Sequence, residues 1–139
     1  MTAAPASIPH AHLTLLAHGS RNPRWPDGLA PLLTSLRAEL GDAAVSLCFL
    51  ELLTPSLADV AAAAAAAGAR ELAVLPMFWS DEGHVLRDLP AIAASITVAF
   101  PTLRLRILPA VGVQPAVHAA IATLARAAAA ASSAGDVDR

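Results

Sequence analysis

Two histidines and one glutamate, His18, Glu51 and His84, each follow an apolar run of this 139-residue sequence. Two imidazoles and a carboxylate suit a divalent first-row metal, and three protein ligands leave a coordination position open for a substrate. A neutral imidazole also accepts protons near pH 7. Singly, each residue has a plainer explanation: a hydrogen-bonded turn for His18, a helix cap for His84 and a solvated carboxylate for Glu51. Their shared placement favours a joint site.

The elements that must bring these three residues together alternate regularly along the chain. Short apolar runs predict four buried strands, and periodic apolar spacing that stops at glycine or begins at proline predicts four helices. The strands are predicted at 13–17, 45–50, 72–77 and 103–108, and the helices at 31–40, 55–67, 84–98 and 115–131.

This alternation predicts an α/β fold, with a four-stranded parallel sheet and helices on both faces. Right-handed crossovers bring the carboxyl ends of all strands to one edge, which is where open α/β sheets bind ligands. We therefore expect the two histidines and the glutamate to converge there. The predicted strand order is 2-1-3-4, in a single domain over residues 12–131. A flexible leader is expected over 1–11 and a disordered tail over 132–139.

Composition excludes several classes of function. Alanine, with 35 residues, is the largest single contributor to the 56% hydrophobic content, and no unbroken apolar stretch reaches the ~18–20 residues that span a bilayer. No basic segment typical of a secretion signal opens the sequence, and the lone Cys48 needs no oxidising compartment, so a cytoplasmic protein is expected. Scattered arginines and a net charge of −2 argue against nucleic-acid binding. Without a Walker A or G-x-G-x-x-G sequence, neither ATP nor an organic cofactor is expected.

Four longer segments carry a more specific signal. They are LLAHGSRNP at 15–23, FLEL with PSL at 49–57, LPMF with GHVLRDLP at 75–90, and PAVG at 109–112. In this order and spacing they resemble the signature of the small sirohydrochlorin chelatases, in the class II chelatase group, over about residues 12–125. One departure is the run Ser80-Asp81-Glu82, since relatives often have glycine or another small residue just before the Gly-His pair.

The resemblance implies a flavodoxin-like fold and an enzyme of the lyase-type metal chelatases. Such an enzyme inserts Co²⁺, Fe²⁺ or Ni²⁺, as a substrate, into sirohydrochlorin for cobalamin or sirohaem biosynthesis. It matches His18 and His84 to the metal-binding catalytic histidines and Glu51 to the acidic residue that assists them. Larger relatives hold two such units in one chain with the tetrapyrrole between them, so the resemblance also implies a homodimer.

Residues beside the two histidines are candidates for holding the tetrapyrrole. Arginines could pair with its peripheral carboxylates, and aromatic rings, including Trp25 and Phe78, could stack on the macrocycle. Ordinary surface arginines and aromatic packing in the core or at a dimer interface explain the same residues. The predicted substrate contacts are Ser20, Arg21, Arg24, Trp79, Gly83 and Arg87.

Two other functions fit the predicted fold. A metal or tetrapyrrole carrier would bind without inserting, and turnover of sirohydrochlorin separates it from a chelatase. A receiver or nucleotide-binding module is disfavoured, because His18 stands where a phosphoacceptor domain needs an acidic cluster. The segment 19–21 supplies only a fragment of a phosphate loop. Asp81 and Glu82 could deliver the metal ion or belong to a solvated loop.

Overall fold

The computed structural model describes residues 11–83 and 87–135, and within them four strands form one parallel sheet. The strands are β1 (Ala11–Ala17), β2 (Val45–Phe49), β3 (Glu71–Pro76) and β4 (Arg104–Ile107). The α-helices are α1 (Ala30–Leu40), α2 (Leu57–Ala66), α3 (Leu89–Ala99) and α4 (Pro115–Gly135). The strand order β2-β1-β3-β4 confirms the predicted order and the predicted α/β fold class.

Burial follows from the apolar runs. The central strand β1 pairs with β2 on one side and β3 on the other, and its Leu15 and Leu16 are fully buried. Leu16 belongs to a core cluster with residues of α2 and α3. Because side chains alternate along a strand, Leu15 faces the opposite side of the sheet. On that side α1 contacts β2, and its Arg37 Nε donates to the carbonyl of Val45 at 3.2 Å.

The edge strand β4 differs from the other three. Arg104 and Arg106 are exposed, and both guanidinium groups lie beside Glu71 of β3. The shorter contact joins Arg106 Nε to Glu71 Oε1 at 2.9 Å. Charged side chains along an edge strand disfavour pairing with a further strand.

Helix α2 has a complete capping box. The Ser56 hydroxyl accepts from the Asp59 amide at 3.1 Å, and the Asp59 carboxylate accepts from the Ser56 amide at 2.9 Å. These hydrogen bonds lower the pKa of Asp59. Leu57 and Val60 are buried in the core cluster.

In the part of the chain that the structure describes, no helix is long and apolar enough to cross a membrane.

Most helix ends lie within two residues of the prediction, and the end of α4 lies four residues beyond it. The described part of α3 begins at Leu89 and ends at Ala99, while residues 84–86 lie outside the described residues. Helix α4 continues to Gly135, so residues 132–135 extend the helix where a disordered tail was predicted. The strong helix propensity of the preceding alanines favours this extension. Residues 1–10 and 136–139 lie outside the described residues.

A series of hydrogen-bonded polar side chains on β1 and β2 leads from His12 to the buried core. His12 Nε2 lies 2.8 Å from Ser46 Oγ, which lies 3.0 Å from the buried Thr14 hydroxyl. Burial lowers the pKa of His12. At the inner end, burial raises the pKa of the Cys48 thiol to about 11, although a hydrogen bond with Thr14 opposes the shift. Cys48 is fully buried. Because of its raised pKa, its thiol is protonated at neutral pH.

We predict that Cys48 is unreactive in the folded protein. A raised pKa depletes the nucleophilic thiolate, and burial blocks the reagent. Labelling by a thiol reagent such as DTNB at pH 8 is expected to be at least about 100-fold slower in native protein than in guanidinium. Rapid stoichiometric labelling of the native protein would contradict this assignment.

Candidate active site

The structure brings His18 and Glu51 into contact at the carboxyl edge of the sheet. His18 Nε2 and Glu51 Oε1 are 2.9 Å apart, although the residues are 33 positions apart in the sequence. The backbone pairing of β1 and β2 continues into their loops, because Leu50 N–H donates to Ala17 O at 2.9 Å and Glu51 N–H to His18 O at 3.1 Å. The side chains are 45% and 57% exposed, so an incoming ion can reach the pair.

Gly19 permits this close approach. Its φ of +101° lies in the region that favours glycine, and a Cβ built at this position would lie 1.8 Å from the carbonyl oxygen of Glu51. Any side chain would therefore push the two loops apart and separate His18 from Glu51.

A tight turn follows Glu51. Leu53 N–H donates to Glu51 O at 2.8 Å, and Leu52 between them has a φ of +67°. This is γ-turn geometry, which is strained for a residue with a side chain. The chain then returns beside the end of β2, where Phe49 N–H donates to Pro55 O at 2.9 Å. The turn thus holds Glu51 at the rim of the sheet.

Side-chain hydrogen bonds order the loop after His18. Ser20 Oγ accepts from the Asn22 amide at 3.1 Å, and Asn22 Oδ1 accepts from the Arg24 amide at 3.0 Å. The Trp25 ring then packs edge-on against Phe49, with 6.5 Å between ring centroids. Ser20, predicted as a substrate contact, therefore also shapes the loop.

The predicted arginines lie at the surface. Arg21 and Arg87 are exposed. The side chain of Arg24 is 87% exposed and makes a 3.6 Å contact with Asp27, an ion pair that contributes little because water screens it. Arg87 also lines a cavity of about 410 Å³. Among the described residues, Asp81, Glu82 and Gly83 also line this cavity.

Phe78 lies next to His18, with 6.5 Å between ring centroids and an interplanar angle of 81°. The neighbouring Trp79 is 67% exposed. Sequence reasoning missed Asp81 as a structural contact: its Oδ1 accepts from the Ala110 amide at 2.7 Å. No local signal could reveal this bond, because the residues are 29 positions apart.

His84, the third predicted ligand, lies outside the described residues. Among the residues that the structure does describe, no group of three or more His, Cys, Asp or Glu side chains could hold a metal ion. Of the predicted ligand set, the structure therefore places the His18–Glu51 pair.

The pair has a definite chemical capability. When Glu51 is ionised, its oxygen accepts the Nε2–H of a neutral His18, and the lone pair of the imidazole then resides on Nδ1. A carboxylate hydrogen-bonded to one ring nitrogen orients the ring and leaves the other nitrogen free to act as a ligand or base. Nδ1 can thus bind a metal ion or accept a proton.

Solved structures define the class to which this fold belongs. The fold matches that of a cobalamin (vitamin B12) biosynthesis CbiX protein from Marinobacter aquaeolei VT8, with a TM-score of 0.73 at 24% identity over 84% of this chain and 94% of that chain. It also matches the sirohydrochlorin chelatase SirB from Bacillus subtilis subspecies spizizenii in complex with cobalt, with a TM-score of 0.65 at 24% identity over 75% of this chain and 44% of that chain. SirB from Bacillus subtilis with Fe³⁺ gives a TM-score of 0.64 at 23% identity over 75% of this chain and 41% of that chain. The chain thus has the fold of the chelatase structures and spans less than half the length of the SirB chains.

The CbiX family model matches residues 12–128, and the chain belongs to the CbiX family. No curated protein sequence matches it significantly. The predicted resemblance to the small sirohydrochlorin chelatases is confirmed.

We predict that Gly19→Ala destabilises the fold by at least about 3 kcal/mol, since positive φ and a backbone collision both oppose alanine. Thermal or urea unfolding measures the loss. Gly41→Ala is the matched control, because Gly41 has a φ of +98° with nothing within 4 Å of its built Cβ. That variant should lose only about 1 kcal/mol. Equal losses of unfolding free energy in the two variants would show that the collision with Glu51 adds nothing to the cost of a Cβ at a glycine of positive φ.

Proposed function

We propose that this protein is an enzyme that inserts a divalent first-row metal ion into sirohydrochlorin. The observation that carries the proposal is the exposed His18–Glu51 pair, 2.9 Å apart at the carboxyl edge of the sheet. It stands in a chain of the CbiX family. SirB, a sirohydrochlorin chelatase of the same fold, has been solved with cobalt and with Fe³⁺.

The pair supports both parts of the chemistry. Insertion of a divalent ion releases two pyrrole N–H protons as two new metal–nitrogen bonds form. Nδ1 of His18 first holds the ion and, once the ion has moved to the ring, accepts one proton while Nε2–H passes its own to Glu51. The exposed carboxylate returns that proton to water. We assign the second proton and a further metal contact to His84, on the resemblance alone.

The remaining predicted contacts are proposed to hold the tetrapyrrole. The exposed guanidinium groups of Arg21, Arg24 and Arg87 suit bidentate pairing with carboxylates. Trp79 is 67% exposed, and an indole at the rim of a site offers a flat face for a macrocycle. Ser20 and Gly83 would contribute contacts next to the two histidines.

We propose Co²⁺ or Fe²⁺ as the metal substrate, with Ni²⁺ as the next candidate, and a product used in cobalamin or sirohaem biosynthesis. Imidazole and carboxylate bind all three ions, so ligand type does not rank them. No ATP or organic cofactor is needed for the steps assigned to the pair. The cytoplasm stays the predicted location, because one cysteine requires no oxidising compartment.

We also propose that the protein is a homodimer, with the cleft near the interface. Helix α4 supports this proposal, since its side chains are exposed over residues 118–133. The partly buried Val117 and the exposed Ile121 and Leu124, the last two 41% and 70% exposed, recur at helical spacing and form an apolar stripe. Pairing with a second copy would remove this stripe from water.

An anaerobic assay tests the enzymatic proposal. We expect the protein to accelerate spectral conversion of sirohydrochlorin by Co²⁺, Fe²⁺ or Ni²⁺ over the protein-free rate. His18→Ala and His84→Ala should each lose about 100-fold or more, and Glu51→Gln about 10–100-fold. His12→Gln and Glu39→Gln, which change the same residue types away from the site, should retain the rate. If folded wild-type protein is no faster than the blank with every metal, the enzymatic proposal fails and a carrier function replaces it.

Sedimentation equilibrium tests the dimer. We expect a dimer at micromolar concentration for the wild type, and a dissociation constant raised at least about tenfold by Leu124→Glu, which puts a charge into the stripe. Val98→Glu is the control, because Val98 is 83% exposed on α3. A monomeric wild type would rule out the homodimer, and a dimer insensitive to Leu124→Glu would rule out the α4 interface.

A further inference from the structure

The loop that follows β3 is fastened to the turn that follows β4. The Asp81 carboxylate accepts a hydrogen bond from the backbone N–H of Ala110 at 2.7 Å, and Ala110 is fully buried. A carboxylate that accepts from a backbone amide makes a charge-assisted hydrogen bond, which is stronger than one between neutral groups. Asp81 thus joins two loops that are remote in the sequence.

Two further contacts fasten the same loop. Gly112 N–H donates to Phe78 O at 2.9 Å. A Cβ built on Gly112 would lie 1.9 Å from Trp79 O, so the two backbones touch. On the far side of the turn, His118 Nε2 lies 2.6 Å from Gly112 O and fixes this turn against the start of α4. The segment 78–81 is therefore held at three successive points.

This fastening reaches the site through Phe78. The ring of Phe78, at the start of the segment, lies edge-on to the ring of His18, with 6.5 Å between ring centroids. A catalytic constellation loses rate when its groups are displaced by as little as about 1 Å. The bond to Ala110 is thus placed to set the position of Phe78 against His18. In the sequence, Asp81 also precedes the predicted ligand His84 by three positions.

The adjacent Glu82 provides an internal comparison. Its backbone N–H donates to Ser80 Oγ at 3.1 Å, and the Ser80 hydroxyl also lies 3.1 Å from Glu82 O. The side chain of Glu82 has no hydrogen-bond or ion-pair partner among residues 11–83 and 87–135. Within the described residues, the carboxylate of Asp81 therefore has a hydrogen-bond partner, Ala110, and that of Glu82 has none.

We propose that Asp81 is a positioning residue of the active site: its hydrogen bond to the Ala110 amide fixes the segment 78–81, whose Phe78 packs against His18. In this role an accepting oxygen at the right position is required, and the negative charge only strengthens its hydrogen bond. The inference rests on the proposed chelatase function. It differs from delivery of the metal by the acidic pair Asp81 and Glu82, in which charge matters and the bond does not.

Two substitutions of Asp81 separate the effect of its hydrogen bond from the effect of its negative charge. Asp81→Asn keeps an oxygen that can accept from Ala110 and removes the charge, whereas Asp81→Glu keeps the charge and displaces the carboxylate by one methylene. We expect Asp81→Asn to retain kcat within about threefold and Asp81→Glu to lose about tenfold or more in kcat, since displacement of catalytic groups costs rate. The KM for the metal should stay within about threefold in Asp81→Asn and rise in Asp81→Glu, and Glu82→Gln should behave as wild type. Melting temperatures identify any variant that fails to fold.

The opposite pattern would overturn the proposal. If Asp81→Asn and Glu82→Gln both raise the KM for the metal while Asp81→Glu does not, charge governs delivery. A wild-type rate in Asp81→Glu would equally exclude a positioning role. Co²⁺ titration of each protein alone gives a readout that needs no turnover: affinity should fall in Asp81→Glu and persist in Asp81→Asn. An inactive wild type that keeps this binding pattern would reject the proposed function but not the positioning role, whereas equal Co²⁺ affinities would reject the role itself.

Discussion

The backbone contact between Gly19 and Glu51 is the constraint on which the site depends. Parallel pairing of β1 with β2 delivers the two loops side by side, but the ladder alone would leave room for side chains between them. The absence of a Cβ at Gly19 lets the loops close to the point where His18 Nε2 and Glu51 Oε1 are 2.9 Å apart. The turn at Leu52 then directs the chain away, and the strain of its positive φ is offset by the surrounding backbone hydrogen bonds.

In the other half of the sheet, a second glycine allows a similar close contact between two loops. Gly112 lets the turn after β4 touch the backbone of Trp79, as Gly19 lets the loop after β1 touch Glu51. Beyond the ends of strands the regular ladder stops, so loops must be held by isolated backbone contacts and by side chains such as Asp81. The result is a rim of fixed loops above the buried core, with the His18–Glu51 pair left about half exposed. Such a rim combines fixed ligand geometry with access for an ion.

Much of this architecture could be predicted from the sequence, because the signals are local. Uninterrupted apolar runs fix where buried strands form, and the capping residues Ser56 and Asp59 fix the start of α2. Once parallel strands alternate with helices, the handedness of crossovers brings the strand ends to one edge. The convergence of His18 and Glu51 at that edge follows from this rule and from the segments that resemble the chelatase signature, without any knowledge of side-chain coordinates.

The remaining features were decided only in the tertiary structure. The Asp81–Ala110 hydrogen bond joins residues 29 positions apart, and the His12–Ser46 hydrogen bond joins residues 34 positions apart. Whether a carboxylate finds a backbone amide or water depends on where another loop lies, and no local pattern of residues encodes that distance. The sequence by itself determined the elements, the edge at which they meet and the residue types placed there. The tertiary structure decided which of those residues touch, because contact between distant loops is a property of the whole packed sheet.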